Sequence, residues 1–381
     1  MKRLSFVAIL IAASWLAACG SPATPGPASG QPGSGSQPPM QLSLQPNFKI
    51  ALVSTQVPGA RFMTFAPNGD LIVSETGGGK VVVIKPGSAV DAAPAVIASG
   101  LLLPHGLAFH GNDLFIATWT GISVIRNYPA GTTVQTLYAG LSENADHGNR
   151  ALAISSSGTI FESSGSNCNI CAESDAKLAT IMTMDADGQG AHVFAKGVRN
   201  GSGLAFDLSG QLWMVVNQRD DLPPSHQNLP VDEFDKVLSG ADYGWPACYP
   251  DLNGDRKPNP DSPVPHPSCA GQTNTTVPLQ AHSAPLGLTF YDGSMFPSSF
   301  KGGAFIAYHG SWDRQPPTGY KVVFVPFTGG TPGKPVDFVW GWLTASGSHT
   351  GRPVGLAVAP DGSLYISDDS NGFVYRVTYG T

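Results

Sequence analysis

An apolar quartet, a Gly- or Asn-rich turn and a second apolar strand recur six times along this chain. The quartets end at Phe65, Phe109, Ile154, Phe206, Phe290 and Val358, and four of them begin with Gly-Leu: Gly106-Leu107, Gly203-Leu204, Gly287-Leu288 and Gly355-Leu356. Turns such as Pro67-Asn68-Gly69, Ser156-Ser157-Gly158 and Pro360-Asp361-Gly362 follow. A repeat near 45 residues, with three or four short strands per unit and no amphipathic helix, predicts an all-β protein. No single unit can bury both its faces, so stacked units must close into a ring: a six-bladed β-propeller. The 46 Gly and 33 Pro, against only 13% charged residues, fit many tight turns between short strands. The spacing widens to 84 residues between Phe206 and Phe290, and again before Val358. Blades four and five therefore carry long insertions, of the kind that line a functional mouth.

The chain starts with a segment that is not part of this fold. Lys2 and Arg3 precede an apolar run from Leu4 to Ala18, closed by Leu16-Ala17-Ala18-Cys19. That is a secretory signal over residues 1–18, too short to span a membrane. Its end resembles a bacterial lipobox, which implies cleavage before Cys19 and lipid on that thiol. Residues 19–46, rich in Gly, Ser, Pro and Gln, are expected to be a flexible tether, with the propeller over 47–381. The expected location is the periplasmic side of a bacterial membrane, the outer one favoured, with the lipid as the membrane contact. Taking Lys2 and Arg3 from 21 basic residues leaves 19 against 27 acidic, net −8. Such a domain has no general affinity for nucleic acid, and an anionic ligand must be held by local arginines.

Four cysteines remain. Cys168-x-x-Cys171 lacks the βαβ context of a redox motif, and the compartment is oxidising, so structural disulfides are expected. Of three connectivities we take the local one, Cys168–Cys171 with Cys248–Cys269. The second would staple the proline-rich excursion from Asp251 to Ser268.

A propeller turns sequence phase into geometry. Arg61, His105 and Arg150 stand four residues before their quartet ends, His147 and Arg199 seven before, and Arg352 six before. Equivalent positions ring one end of the axis. The strand after each quartet runs back to that same end, where its exit carries Glu75, Trp119, Ser166-Asn167, Gln218-Arg219-Asp220, His309 to Arg314, or Asp368-Asp369. So many arginines and histidines on one face predict a site for a polyanion, because guanidinium forks bind carboxylates bidentately.

These residues carry a resemblance. His147-Gly148-Asn149-Arg150, Gly197-Val198-Arg199-Asn200, Asp242-Tyr243-Gly244-Trp245-Pro246, His309-Gly310-Ser311-Trp312 and Arg352-Pro353-Val354-Gly355 stand in the order found in soluble sugar dehydrogenases dependent on pyrroloquinoline quinone (PQQ). The chain is similar to their glucose/sorbosone group, and to its L-sorbosone branch within it. The resemblance implies PQQ and calcium as cofactors and a sugar or sugar-derived aldehyde as substrate, with a quinone or cytochrome taking the electrons onward. It implies His147 as general base and Arg199 as the group that polarises the quinone. Arg150, Arg199, Asn200, His309, Arg314 and Arg352 would hold the cofactor, and backbone carbonyls near Arg219 and Asp220 the calcium. PQQ carries three carboxylates, a neutral imidazole is a suitable base, and calcium accepts carbonyl oxygens. The glucose-oxidising branch has an acidic partner for the base and a cofactor-binding lysine. This chain has Gly165-Ser166-Asn167 and His309 there, which favours sorbosone-like aldehydes over glucose. The rivals are a calcium-dependent lactonase-type propeller, which would put carboxylates at the centre, and a non-catalytic binding propeller.

Overall fold

Each repeat becomes one antiparallel sheet. Blade 1 is Ala60–Phe65, Leu71–Glu75, Lys80–Ile84 and Ala95–Ala98. Blade 2 runs from Leu107–His110 to Val134–Ala139, blade 3 from Leu152–Ile154 to His192–Lys196, and blade 4 from Gly201–Phe206 to Val277–Leu279. Blade 5 starts at Pro285–Phe290 and blade 6 at Pro353–Val358. This is a computed structural model, and it describes residues 36–143, 146–223, 225, 227–265 and 268–380. The signal segment 1–18 and Cys19 lie outside the described residues.

The ring closes with a strand the repeat does not announce. Phe48–Ser54 forms the outer strand of blade 6, pairing Ile50 with Val377 and Phe48 with Tyr379. The two ends of the propeller are thus joined by a ladder of backbone hydrogen bonds. The expected tether also ends earlier than residue 46. Ser43 pairs with Trp340 and Leu44 with Val339 on the edge of blade 5, while Met40, Leu42 and Leu44 pack on a core that includes Phe338 and Trp342. Three apolar residues at alternate positions are a strand pattern with one buried face, which a glycine-rich background hid.

The core is not one mass. It divides into six apolar clusters, each lying across the seam between neighbouring blades. Trp213, Phe234, Leu288 and Ile306 join blades 4 and 5, Met63, Val73, Ala357 and Tyr365 join blades 1 and 6, and Phe115, Leu152 and Met184 join blades 2 and 3. The first strand of each blade also touches the first strand of the next, around to the start. The recurring Gly-Leu explains how. A Cβ on Gly106 would lie 2.6 Å from Arg150 O, on Gly203 2.3 Å from Leu286 O, on Gly287 2.1 Å from Val354 O, and on Gly355 2.2 Å from Arg61 O. In these four blades only glycine lets the inner strand press against the next blade's backbone, while Phe62 and Ala151 stand at that position in the other two.

Both disulfides have the expected pairing, Cys168–Cys171 and Cys248–Cys269. The second closes the long insertion of blade 4, whose own hairpin pairs Cys248–Pro250 with Arg256–Pro258. Blade 4 alone resumes after that insertion with its fourth strand, Val277–Leu279.

Replacing Gly287 by Ala should destabilise the propeller by roughly 1–3 kcal/mol, since the added methyl overlaps a carbonyl that the closed ring cannot move away. Urea unfolding of the two proteins measures the difference. An unchanged midpoint would show that the seam has slack.

Candidate active site

The exits of the second strands and the starts of the first ones meet at one end of the axis, as their phase predicts. Two hollows open there. The larger, about 450 Å³, is lined by Arg61, Thr76, His105, Trp119, His147 and Asp369 among others. The smaller, about 70 Å³, has Arg199, Asn200, Asn217, Gln218, Asp220 and Asp232 on its wall. His147 lines both. A third space of about 330 Å³ follows the axis between the inner strands of all six blades and carries few ionisable groups.

His147 is held in one tautomer. Its Nδ1 lies 2.8 Å from Ser166 Oγ and 3.1 Å from Ser166 O. The Ser166 hydroxyl donates its own proton to Cys168 O, at 2.8 Å. Both neighbours of Nδ1 are therefore acceptors, which places the ring proton on Nδ1 and the lone pair on Nε2. Burial, and then the positive charge of Arg199, bring the His147 pKa down to about 4. The imidazole is neutral at physiological pH.

Arg199 is buried and bound mostly by carbonyls. Its Nη1 donates to Gln218 O at 2.9 Å and its Nε to Asn169 O at 3.0 Å. Its Nη2 donates to Asn169 Oδ1 at 2.8 Å, with Asp220 Oδ1 more distant at 3.4 Å. Asp220 is thus its ion-pair partner at the longer end of the range, and its closer contacts are all to neutral oxygens. Beside it, Asn200 Oδ1, Asn217 Oδ1 and Gln218 Oε1 are buried acceptors without a partner among the described residues. Unsatisfied buried amide oxygens are rare in finished cores, and three along one wall of one hollow fit a bound donor or cation.

The other expected residues divide. His309 Nε2 meets Asp369 at 3.0 Å, and Asp369 also takes Arg61 Nη1 at 2.6 Å. Burial opposes the Asp369 charge, yet the hydrogen bonds and charges of His309 and Arg61 outweigh it and bring its pKa to about 2. Arg150, expected to hold a ligand, does not reach the mouth. It is wholly buried, donating to Trp119 O, Ser164 Oγ and Ser142 O beside the buried Glu162. Arg314 is likewise turned to protein, bonding Ala281 O and Asn228 Oδ1. Arg352 spends Nε and Nη2 on His309 O and Gly310 O, so it shapes the His309 turn from below. Arg219 pairs with Asp261 of the blade 4 insertion. In each case a shared phase set the end of the axis, while rotamer and neighbouring loop set the direction.

Two groups in the site carried no sequence signal of their own. Asp232, on a third strand, is fully buried in the smaller hollow, where burial pushes its pKa up to about 7 against three backbone N–H donors, those of Gln218, Ser283 and Ala284. Asn169, inside the short disulfide loop, binds both Arg199 and Asp220. Asp369 stood in the exit set, but its pairing with Arg61 and His309 across blades did not follow from phase.

A family model described as TrAA12-like matches residues 42–380. The chain belongs to the TrAA12-like family. This TrAA12-like chain is 28% identical to a pyrroloquinoline quinone-dependent pyranose dehydrogenase of Coprinopsis cinerea, over 90% of its own length. It spans about half of that enzyme, 55%. Among solved structures it is similar to the holo form of the pyranose dehydrogenase PQQ domain from Coprinopsis cinerea, with a TM-score of 0.76, 24% identity and coverage of 91% and 99% of the two chains. It is also similar to a calcium structure of the Trichoderma reesei carbohydrate-active enzyme family AA12, with a TM-score of 0.73, 23% identity and coverage of 89% and 97%. At these identities the structural likeness shows the six-bladed fold. The sorbosone branch has no counterpart among these relatives.

Because cationic His147 is disfavoured by burial and by Arg199, ¹⁵N spectra of the imidazoles should show the Nδ1–H tautomer and a midpoint near pH 4. A midpoint at the ordinary value of about 6.5 would mean that the ring is solvated.

Proposed function

We propose that this protein is a PQQ- and calcium-dependent dehydrogenase that oxidises a sugar or a sugar-derived aldehyde, with His147 as general base. The observation that carries this reading is the position of His147, a neutral imidazole shared by two adjoining hollows, one of them walled by Arg199 and unpaired amide oxygens. The relative named as a PQQ-dependent pyranose dehydrogenase supports it.

The residues fit the proposed cofactors, though with a smaller set than phase alone implied. Arg199 and Asn200, on the wall of the smaller hollow, would reach the edge of a PQQ whose body only the larger hollow has room for. Arg61 and His309, joined through Asp369, would serve the side of the larger one. Calcium would take carbonyl-type oxygens near Asp220. When bound, PQQ supplies the two-electron hydride acceptor and calcium polarises it. The protein's part is to position and to move one proton. Nε2 of His147 takes the proton from the substrate hydroxyl, or from the hydrated form of an aldehyde, as the carbon gives up its hydride. Ser166 holds Nδ1–H throughout, so the ring cannot turn its lone pair away. The Arg199 guanidinium, dry and held mainly by neutral oxygens with Asp220 at 3.4 Å, stabilises negative charge as it develops beside it. Sorbosone-like aldehydes are the proposed substrates where Ser166 and His309 replace the acidic and lysine partners of the glucose-oxidising branch. The same reading includes export on the 1–18 signal and lipid attachment at Cys19, with electrons passed to a membrane quinone or a cytochrome.

Two measurements test this. PQQ together with calcium should stabilise the apo protein, by about 2.7 kcal/mol at a hundredfold excess over Kd, and PQQ with chelator should not. Equal melting temperatures in all conditions would rule out a quinoprotein. His147→Ala should retain PQQ but slow quinone reduction by roughly 10²–10⁴-fold in stopped-flow with a panel of aldoses and aldehydes. A wild-type rate would remove His147 from the role of base.

A further inference from the structure

We propose that Asn169 is a positioning residue, the clamp that sets the Arg199 guanidinium and the Asp220 turn in one fixed relation. The proposal rests on the dehydrogenase reading for its effect on rate, while its structural content stands on the apo protein alone.

Asn169 lies in the loop between Ser166 and Cys171, which leaves blade 3 and is closed by the Cys168–Cys171 disulfide. Its side-chain oxygen accepts Arg199 Nη2 at 2.8 Å and the Asp220 backbone N–H at 3.2 Å. Its amide nitrogen donates to Asp220 O at 2.8 Å, and its backbone oxygen accepts Arg199 Nε at 3.0 Å. Asn169 is thus bonded to both the N–H and the C=O of one residue, Asp220, and to two nitrogens of one guanidinium. A primary amide suits that task because it offers acceptor and donor on one planar group. Aspartate would keep the acceptors and lose the donor, and alanine would lose all three side-chain bonds.

The same loop reaches the third partner. Ser166, three residues before Asn169, orients His147 and is tied by its hydroxyl to Cys168 O. One disulfide-closed turn from blade 3 therefore fixes the base, the guanidinium from blade 4 and the turn that follows the second strand of blade 4. Arg199 needs such a clamp because its long side chain sits among carbonyls that tolerate several rotamers. A guanidinium displaced by about 1 Å can lose about 10²-fold in rate.

The test compares Asn169→Ala, Asn169→Asp and Arg199→Lys with the double variant Asn169→Ala/Arg199→Lys. In apo protein, wild type should show resolved, slowly rotating Nη resonances for Arg199, averaged in Asn169→Ala and retained in Asn169→Asp. With PQQ and calcium saturating, Asn169→Ala should reduce quinone about 10²-fold more slowly. With calcium saturating and so holding the Asp220 turn, the double variant should be no slower than Arg199→Lys, because the remaining effect of the clamp on rate passes through Arg199. Unaltered Nη resonances in folded Asn169→Ala, or rate losses that multiply in the double variant, would overturn the proposal. If wild type reduced no quinone at all, the dehydrogenase reading would fail, and the guanidinium spectra would still decide whether Asn169 holds Arg199. Should Asn169→Ala not fold, Asn169→Asp and Asn169→Ser decide the same point.

Discussion

The close approach of each inner strand to the backbone of the next blade is the constraint on which this structure depends. Glycines at 106, 203, 287 and 355 allow it, with carbonyl oxygens where side chains would otherwise begin. Serines on neighbouring strands add hydrogen bonds across the same seams, as Ser74 does to His105 O and Ser367 to Arg61 O. A ring held this way has no spare width. The six seams between blades fill with apolar side chains, and the pairing of Phe48–Ser54 with the last strand of the chain closes the ring. What is left at the mouth is a set of loop ends whose distances are set by the closed ring.

Those fixed distances make the mouth's electrostatics legible. The chain carries a negative excess, yet its site is built from cations. Most are neutralised locally: Arg61 by Asp369, Arg219 by Asp261, and Arg256 by the buried Glu233 in the blade 4 insertion. Arg199 differs in degree, since its ion pair with Asp220 is longer, at 3.4 Å. It is desolvated and surrounded mainly by carbonyl oxygens, which satisfy its N–H groups without cancelling its charge. Such a group is suited to meeting an anion that arrives with a ligand or develops during a reaction. It also lowers the pKa of His147, so one residue both presents a charge and keeps the neighbouring base neutral.

The fold was legible because period and phase report on backbone geometry. Quartet spacing indicated six blades, and the alternating pattern located strands such as Val134–Ala139 and His192–Lys196 to within a residue or two. The strand Ser43–Leu44 was not legible, since only three alternating apolar residues mark it within a tract that looks like linker. At the site, phase put His147 and Arg199 at one end of the axis, and the resemblance added Asn200 beside them. Phase did not foretell that Arg150 turns inward, nor did the resemblance foretell that Arg314 bonds to Ala281 O and Asn228. A long side chain can leave its Cα in several directions, and the loops that choose among them come from other blades.

While leaving three pairings open for the four cysteines, the sequence by itself determined the ring, the number of its blades and the end of the axis that gathers basic and titratable groups. These follow from short-range periodicity, from turn chemistry and from the impossibility of burying one blade alone. Only the tertiary structure decided which arginines keep their charge for a ligand, that Ser166 holds the proton of His147 on Nδ1, and that Asp369, Asp232 and Asn169 belong to the site. Each of those depends on contacts between residues tens to hundreds of positions apart, such as Arg61 with Asp369 or Asn169 with Asp220. Distance, burial and hydrogen-bond direction settle them, and no pattern along the chain encodes those three quantities.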